Sequence, residues 1–174
     1  GYLFLHHSME ALVEDGLLCL IQKDNFLYNR RSAAFRRAVF ERWDMRQIMD
    51  FTPIRGLFFK DPKVVVVMAE ARAPRHKPIL HAIFRRTAHT QAELSFELDY
   101  YDMQWVPRHV ATAKDFVWRC NLFGGGRAVS LVERLKKLPT LKDYVKSQGW
   151  DYGEGFIAGD STSGKVQDHL WKKP

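Results

Sequence analysis

The sequence predicts an α/β fold, and three observations carry that expectation. Residues 17–22 and 64–68 are apolar runs too short for helices and without alternation, the pattern of strands buried on both faces. Residues 3–14 and 32–43 carry apolar side chains at helical spacing beside those runs. Residues 93–100 alternate, with Leu94, Phe96, Leu98 and Tyr100 on one side and Glu93, Ser95, Glu97 and Asp99 on the other, as a half-buried antiparallel strand does.

In chain order, the first helix is expected to place Leu5, Met9, Leu12 and Val13 on its inner face and to stop at Gly16. The strand 17–22 then opens into a polar and aromatic loop, 23–29. Open α/β sheets place ligand chemistry at that carboxyl end. Ser32 is the cap of a second helix with Phe35, Val39, Phe40 and Trp43 inward. Residues 46–51 read as a short strand closed by Pro53. The run 64–68, four valines and a methionine, reads as an interior strand.

Pro74 and Pro78 interrupt a basic stretch and set the expected module boundary, giving segments 1–72 and 73–174. Residues 79–85 are a further strand. Gly124, Gly125 and Gly126 break the chain. Residues 129–138 read as a helix with Val129, Val132, Leu135 and Leu138 as its core stripe. Thr140 with Asp143 has the form of a capping box opening another short helix. Beyond Gly149 a loop is expected, with a poorly ordered tail past Ser161.

Of 174 residues, 46% are hydrophobic and 13% aromatic, which suits a packed core and argues against disorder. No apolar run approaches the ~18 residues of a membrane span. The first residues lack the basic region and cleavage site of a signal peptide. Cys19 and Cys120 sit in apolar contexts and are expected to be buried thiols. Together these point to the cytoplasm. The formal charge of +7 favours an anionic partner. Basic residues cluster twice: Arg72, Arg75, Lys77, Arg85 and Arg86, with no acid between 71 and 92, and Arg30, Arg31, Arg36, Arg37 and Arg42 along the second helix.

This order of parts resembles the adenine-N6 DNA methyltransferases of bacterial restriction–modification systems, the N-6 DNA methylase family. The residues that carry the resemblance are Leu20 to Asn29, Phe35-Arg36-Arg37, Ile48-Met49-Asp50-Phe51, Leu57-Phe58-Phe59 and the apolar run 64–68. The likeness is good over roughly the first 70 residues and looser over 117–159. Lys23 stands where the family carries proline. The family's catalytic Asn/Asp-Pro-Pro-aromatic tetrapeptide and its early glycine-rich cofactor loop do not occur in the chain.

The resemblance implies the C-terminal part of a Rossmann-like S-adenosylmethionine-dependent methyltransferase sheet with an α+β extension. Its last two strands would pair as a hairpin, one inserted antiparallel between its neighbours. The extension would lead into the target-recognition region. The implied function is that of a fragment of a DNA adenine-N6 methyltransferase, supplying the target-base pocket and DNA contacts. Lacking the cofactor loop and catalytic motif, it would be inactive alone and bind no cofactor. The parent would use S-adenosylmethionine on double-stranded DNA, and an unpaired sheet edge would offer a route to self-association. The alternatives are a non-catalytic DNA-binding or specificity module, and a small α/β interaction domain.

By the resemblance, Lys23, Asn25 and Phe26 would hold the flipped adenine by its edge and face, with Phe58 stacking on it. Phe59 takes that role if the register slips by one. Arg72, Arg75, Lys77, Arg85 and Arg86 are the expected phosphate contacts. The glycines at 153–159 and 124–126 lack the strand–loop–helix context of a nucleotide loop. His76 and His81 have no metal-site spacing, so no metal is expected.

Overall fold

The computed structural model describes residues 1–54, 62–85, 96 and 98–150. Five strands form one mixed sheet: β1 (Leu17–Lys23), β2 (Asp44–Asp50), β3 (Val64–Glu70), β4 (Ile79–Ile83) and β5 (Met103–Val106), in the order β1-β3-β2-β4-β5. β3 lies antiparallel between β1 and β2. β2 and β4 run parallel, and β5 closes the sheet antiparallel to β4. Strands on either side of position 72 therefore share one sheet.

The chemistry of β3 explains its central place. Val64, Val65, Val66 and Val67 are all buried, and only an interior strand covers both of its faces. β1 has nearly the same composition but a different fate. Leu17 and Ile21 remain 58% and 57% exposed, and Cys19 is exposed too. The expected doubly buried strand is thus an edge strand covered on one face only, and one of the two expected buried thiols is at the surface.

Register separates the two faces. Leu20, Val67, Ile48, His81 and Gln104 are consecutive cross-strand partners on one face, and Cys19, Met68, Gln47, Leu80 and Trp105 on the other. Helices cover the first face: α1 (Tyr2–Glu10), α2 (Asn25–Tyr28), α3 (Ala33–Arg42), α4 (Arg108–Ala113) and α5 (Val117–Gly124). Leu5 and Met9, Phe26 and Leu27, Val39 and Phe40, Ala111, and Val117 and Trp118 form the core with the strands. On the second face, among the described residues, Ile54, Ala82 and Phe84, with Met49 and Phe51, make a small cluster at the carboxyl ends, and Phe96 packs edge-on to Phe51 and Phe84.

The compact unit with the sheet is Gly1–Leu135; Lys136–Pro174 is a second unit. The helix α6 (Gly126–Leu135) has no fully buried residue. Of the expected core stripe, Val129 packs half-buried against the core, while Leu135 is half exposed. In the second unit, α7 (Leu141–Ser147) opens with the expected capping box, Asp143 N–H donating to Thr140 Oγ1 and the Asp143 carboxylate accepting from Thr140 N–H. Residues 93–95 and 97 of the expected alternating strand lie outside the described residues. Its described end, Tyr100–Asp102, is a 3-10 turn. The tail 151–174 also lies outside. No helix among the described residues is long and apolar enough to cross a membrane.

Gly125 joins α5 to α6 with φ +64° and ψ −151°, a conformation essentially reserved for glycine. A Cβ there would also meet the Gln104 side chain at 3.3 Å. Gly125→Ala is expected to cost about 1–3 kcal/mol, read as a lowered urea midpoint at unchanged slope.

Candidate functional site

The loop after β1 and the carboxyl ends of β2 and β4 converge on a buried polar cluster. Asp50, the last residue of β2, accepts from Tyr28 Oη, from the Thr52 N–H at 2.8 Å and from His81 Nε2 at 3.3 Å. On the far side of the imidazole, the Asn121 amide nitrogen lies 3.4 Å from Nδ1. That amide donates, so Nδ1 accepts and Nε2–H points to Asp50. Asp50 and His81 are fully buried, and Trp118 packs edge-on against the His81 ring. Burial pushes the Asp50 carboxyl up, but the hydrogen bonds from His81, Thr52 and Tyr28 overcome it and hold the group below the usual 3.8. Burial, helped by the Asp50 charge, pushes the Tyr28 phenol well up. Asp24 is raised mainly by burial, against the pull of Lys63.

Such a cluster cannot reach substrate. What it does is fix the loop above it: Tyr28 is tied to Asp50, and its carbonyl accepts from Arg119 at 3.0 Å. The same loop is held to the chain entering β3, where Asp24 N–H donates to the Lys63 carbonyl at 3.1 Å. Phe51 N–H donates to the Val64 carbonyl, also at 3.1 Å. The chain entering β3 at Lys63 therefore lies beside the loop 23–29, while Ile54 packs with Ala82 and Phe84.

The expected base-pocket residues distribute unevenly. Lys23 and Asn25 are exposed on the loop. Phe26 is fully buried, edge-on to Phe35 and Phe40, and offers no ring face to solvent. An aromatic at the start of a four-residue helix over the core is drawn inward by its apolar area. Phe58 and Phe59 lie outside the described residues.

The expected phosphate contacts are largely paired with acids that are distant in sequence. Arg72 meets Asp15 at 3.1 Å, and Arg85 meets Asp102 at 2.7 Å. Arg75 bonds Asp44 at 2.7 Å and also bonds Glu70, and both bonds raise its guanidinium. Lys77 is exposed, and Arg86 lies outside the described residues. In the second basic group Arg36 is buried, donating to the Phe26 carbonyl at 2.9 Å and to Asp115 at 2.8 Å. The other four of that group, Arg30, Arg31, Arg37 and Arg42, are exposed.

Lys77 borders a recess of about 430 Å³ over the open sheet face, lined also by Asp44, Arg46, Arg75, Arg108 and Trp105. Arg108 bonds Asp44 and the Met45 carbonyl, while its Nε and Nη1 have no partner among the described residues. Burial lowers its guanidinium, against the Asp44 charge. Trp105, at 63% exposure, stands beside these cations. No local sequence pattern marks this recess, because β5 is only four residues long.

No protein-family model matches the chain, and no curated protein matches it. Solved structures do. One is the M protein of the type I restriction enzyme EcoKI, 17% identical, with a TM-score of 0.42, covering 48% of this chain and 19% of that one. Another comes from work on complex assembly and conformational transition of the type I restriction–modification system. It is 14% identical, with a TM-score of 0.51, covering 85% of this chain and 38% of that one. The chain thus spans well under half the length of either protein. At these identities the second likeness speaks for a shared fold alone.

Proposed function

We propose that this chain forms the trailing part of the catalytic domain of a DNA adenine-N6 methyltransferase in a restriction–modification system. The observation that carries this reading is the strand order. The valine-rich β3 lies antiparallel between β1 and β2, the inserted arrangement that the resemblance implies. The fold likeness to a type I restriction–modification structure supports it. In the parent, S-adenosylmethionine supplies the methyl group, and the loop and motif that hold it lie in sequence this chain does not carry. The chain's own part is to shape one wall of the base pocket with Lys23, Asn25 and the Phe58 segment, and to contact DNA phosphates. By itself it binds no cofactor. β1 is the end strand of the sheet among the described residues, and in this reading the rest of the parent's sheet would join there, or a second copy would pair with it in isolation.

Phosphate contacts release counterions, so DNA affinity should fall steeply with salt, with a log–log slope of about −0.9 for each contact. Because Arg75 is bound to buried Asp44, the test uses the cations whose loss spares the core. Arg72→Glu with Lys77→Glu is expected to weaken binding to a duplex of arbitrary sequence and to shallow the slope by about 2. Arg30→Glu with Arg31→Glu is the comparison. A loss only in that second pair moves the DNA face to the 3-10 turn Arg30–Ser32 ahead of α3. Binding unchanged in both pairs refutes the DNA-contact reading.

A further inference from the structure

We propose that His6, His7 and Glu10 on α1 form a binding site for a divalent transition-metal ion of the zinc, cobalt and nickel class. The inference goes beyond the methyltransferase reading and does not depend on it.

The helix sets the geometry. At 100° per residue, Glu10 falls angularly between His6 and His7 and about one turn further along, so its carboxylate reaches both rings. Its Oε2 lies 3.2 Å from His6 Nδ1 and 3.7 Å from His7 Nδ1. The ligand atoms of all three residues lie within 4.8 Å of one another. A tetrahedral ion with bonds of about 2.0–2.1 Å spaces its ligand atoms by about 3.3–3.4 Å. The two separations from Glu10 bracket that spacing, and the third, between the imidazoles, is at most 4.8 Å, so an ion seats once the two rings rotate toward each other. Two imidazoles and one carboxylate are a borderline donor set, which suits zinc over magnesium or calcium. A fourth position stays open to water.

The ligands are also oriented from behind. Glu10 uses its other oxygen, Oε1, to accept from Arg42 at 3.1 Å, which leaves Oε2 for the histidines. Arg42 in turn lies 4.7 Å over the Trp43 ring. The His6 ring packs edge-on to Trp43 at 5.3 Å. Such outer contacts hold ligands in place and limit the entropy lost on binding. His7 stays open, its side chain 72% exposed, which gives the ion a path in. Because Arg42 and Trp43 end α3, an ion here would fasten α1 to α3.

The test is calorimetric titration of the whole chain with zinc chloride, repeated with cobalt(II) and its visible absorption. One ion per chain is expected, with a dissociation constant on the order of micromolar and a tetrahedral cobalt spectrum. His7→Ala, on the surface and away from the core, is expected to weaken binding at least tenfold. Glu10→Gln should do the same, and His6→Ala/His7→Ala should abolish it. Zinc at a hundredfold excess over the dissociation constant should raise the unfolding free energy by about 2.7 kcal/mol in the parent chain and not in the double variant. Unchanged affinity in His7→Ala and in the double variant would assign the ion elsewhere, to exposed Cys19 or another histidine, and overturn the proposal. So would the absence of binding at 100-fold excess of metal over protein.

Discussion

Replacing Asp50 by alanine is expected to lower the unfolding free energy by about 3–5 kcal/mol, a large part of the stability of a domain of this size. The carboxylate sits where three donors meet, so its loss leaves the Tyr28 hydroxyl, the Thr52 N–H and the His81 Nε2–H without an acceptor in a site closed to water. Asp50→Asn keeps one acceptor oxygen and should cost less. The pH dependence has a definite sign. The folded carboxyl lies below its usual 3.8, so its contribution is complete above that value. It drains away as pH falls from about 4 through the lower folded value. Urea midpoints measured between pH 6 and pH 3 should fall for the parent chain. They should fall less for Asp50→Asn, which lacks the titrating group. An identical pH profile for the two would show that Asp50 is not the linked carboxyl.

Trp118→Ala should be about as severe, at about 3–5 kcal/mol. Trp118 is the largest fully buried side chain among the described residues, wedged between Phe40 of α3 and His81 of β4. Its removal opens a cavity that the rigid sheet cannot close. Trp118→Phe keeps the aromatic body and deletes an indole N–H that has no partner among the described residues, so it should cost clearly less. The loss should be felt across the sheet. Amide exchange in β3 is expected to accelerate together with exchange in α5, since both line one core. Exchange that speeds up in α5 while β3 keeps its protection would mean that the residues before and after 72 unfold independently.

Those two residues show which parts of the molecule the sequence disclosed. β3 was legible because an interior strand must be apolar on both faces, and four consecutive valines satisfy little else. β1 misled for a related reason: Leu17, Cys19 and Ile21 are apolar yet face an uncovered side of the sheet, and composition does not say what lies opposite. β5 escaped because four residues with two exposed, Met103 and Trp105, leave no periodic mark. The Asp50–His81 pair joins residues 31 apart, and its partners Tyr28 and Asn121 lie 22 and 40 positions from the groups they meet, so no local pattern could announce it. The basic residues were visible in the sequence, but the acids that bind them were not. Arg75 meets Asp44 across 31 positions, and Arg85 meets Asp102 across 17. The cluster on α1 did leave a trace, two adjacent histidines with an acid one turn on, too common on exposed helices to stand out alone.

The insertion of β3 between two earlier strands also sets a timetable for synthesis. β1 and β2 do not pair with each other; each pairs with β3, which leaves the ribosome later. About forty residues separate the end of β1 from the start of β3, so at ~5–20 residues per second the nascent chain carries an unpaired β1 for about 2–8 seconds. Throughout that interval Leu17, Leu18, Leu20 and Ile21 have no partner strand. The newborn chain is then at its stickiest, and slower translation across residues 24–63 should increase its capture by ribosome-associated chaperones.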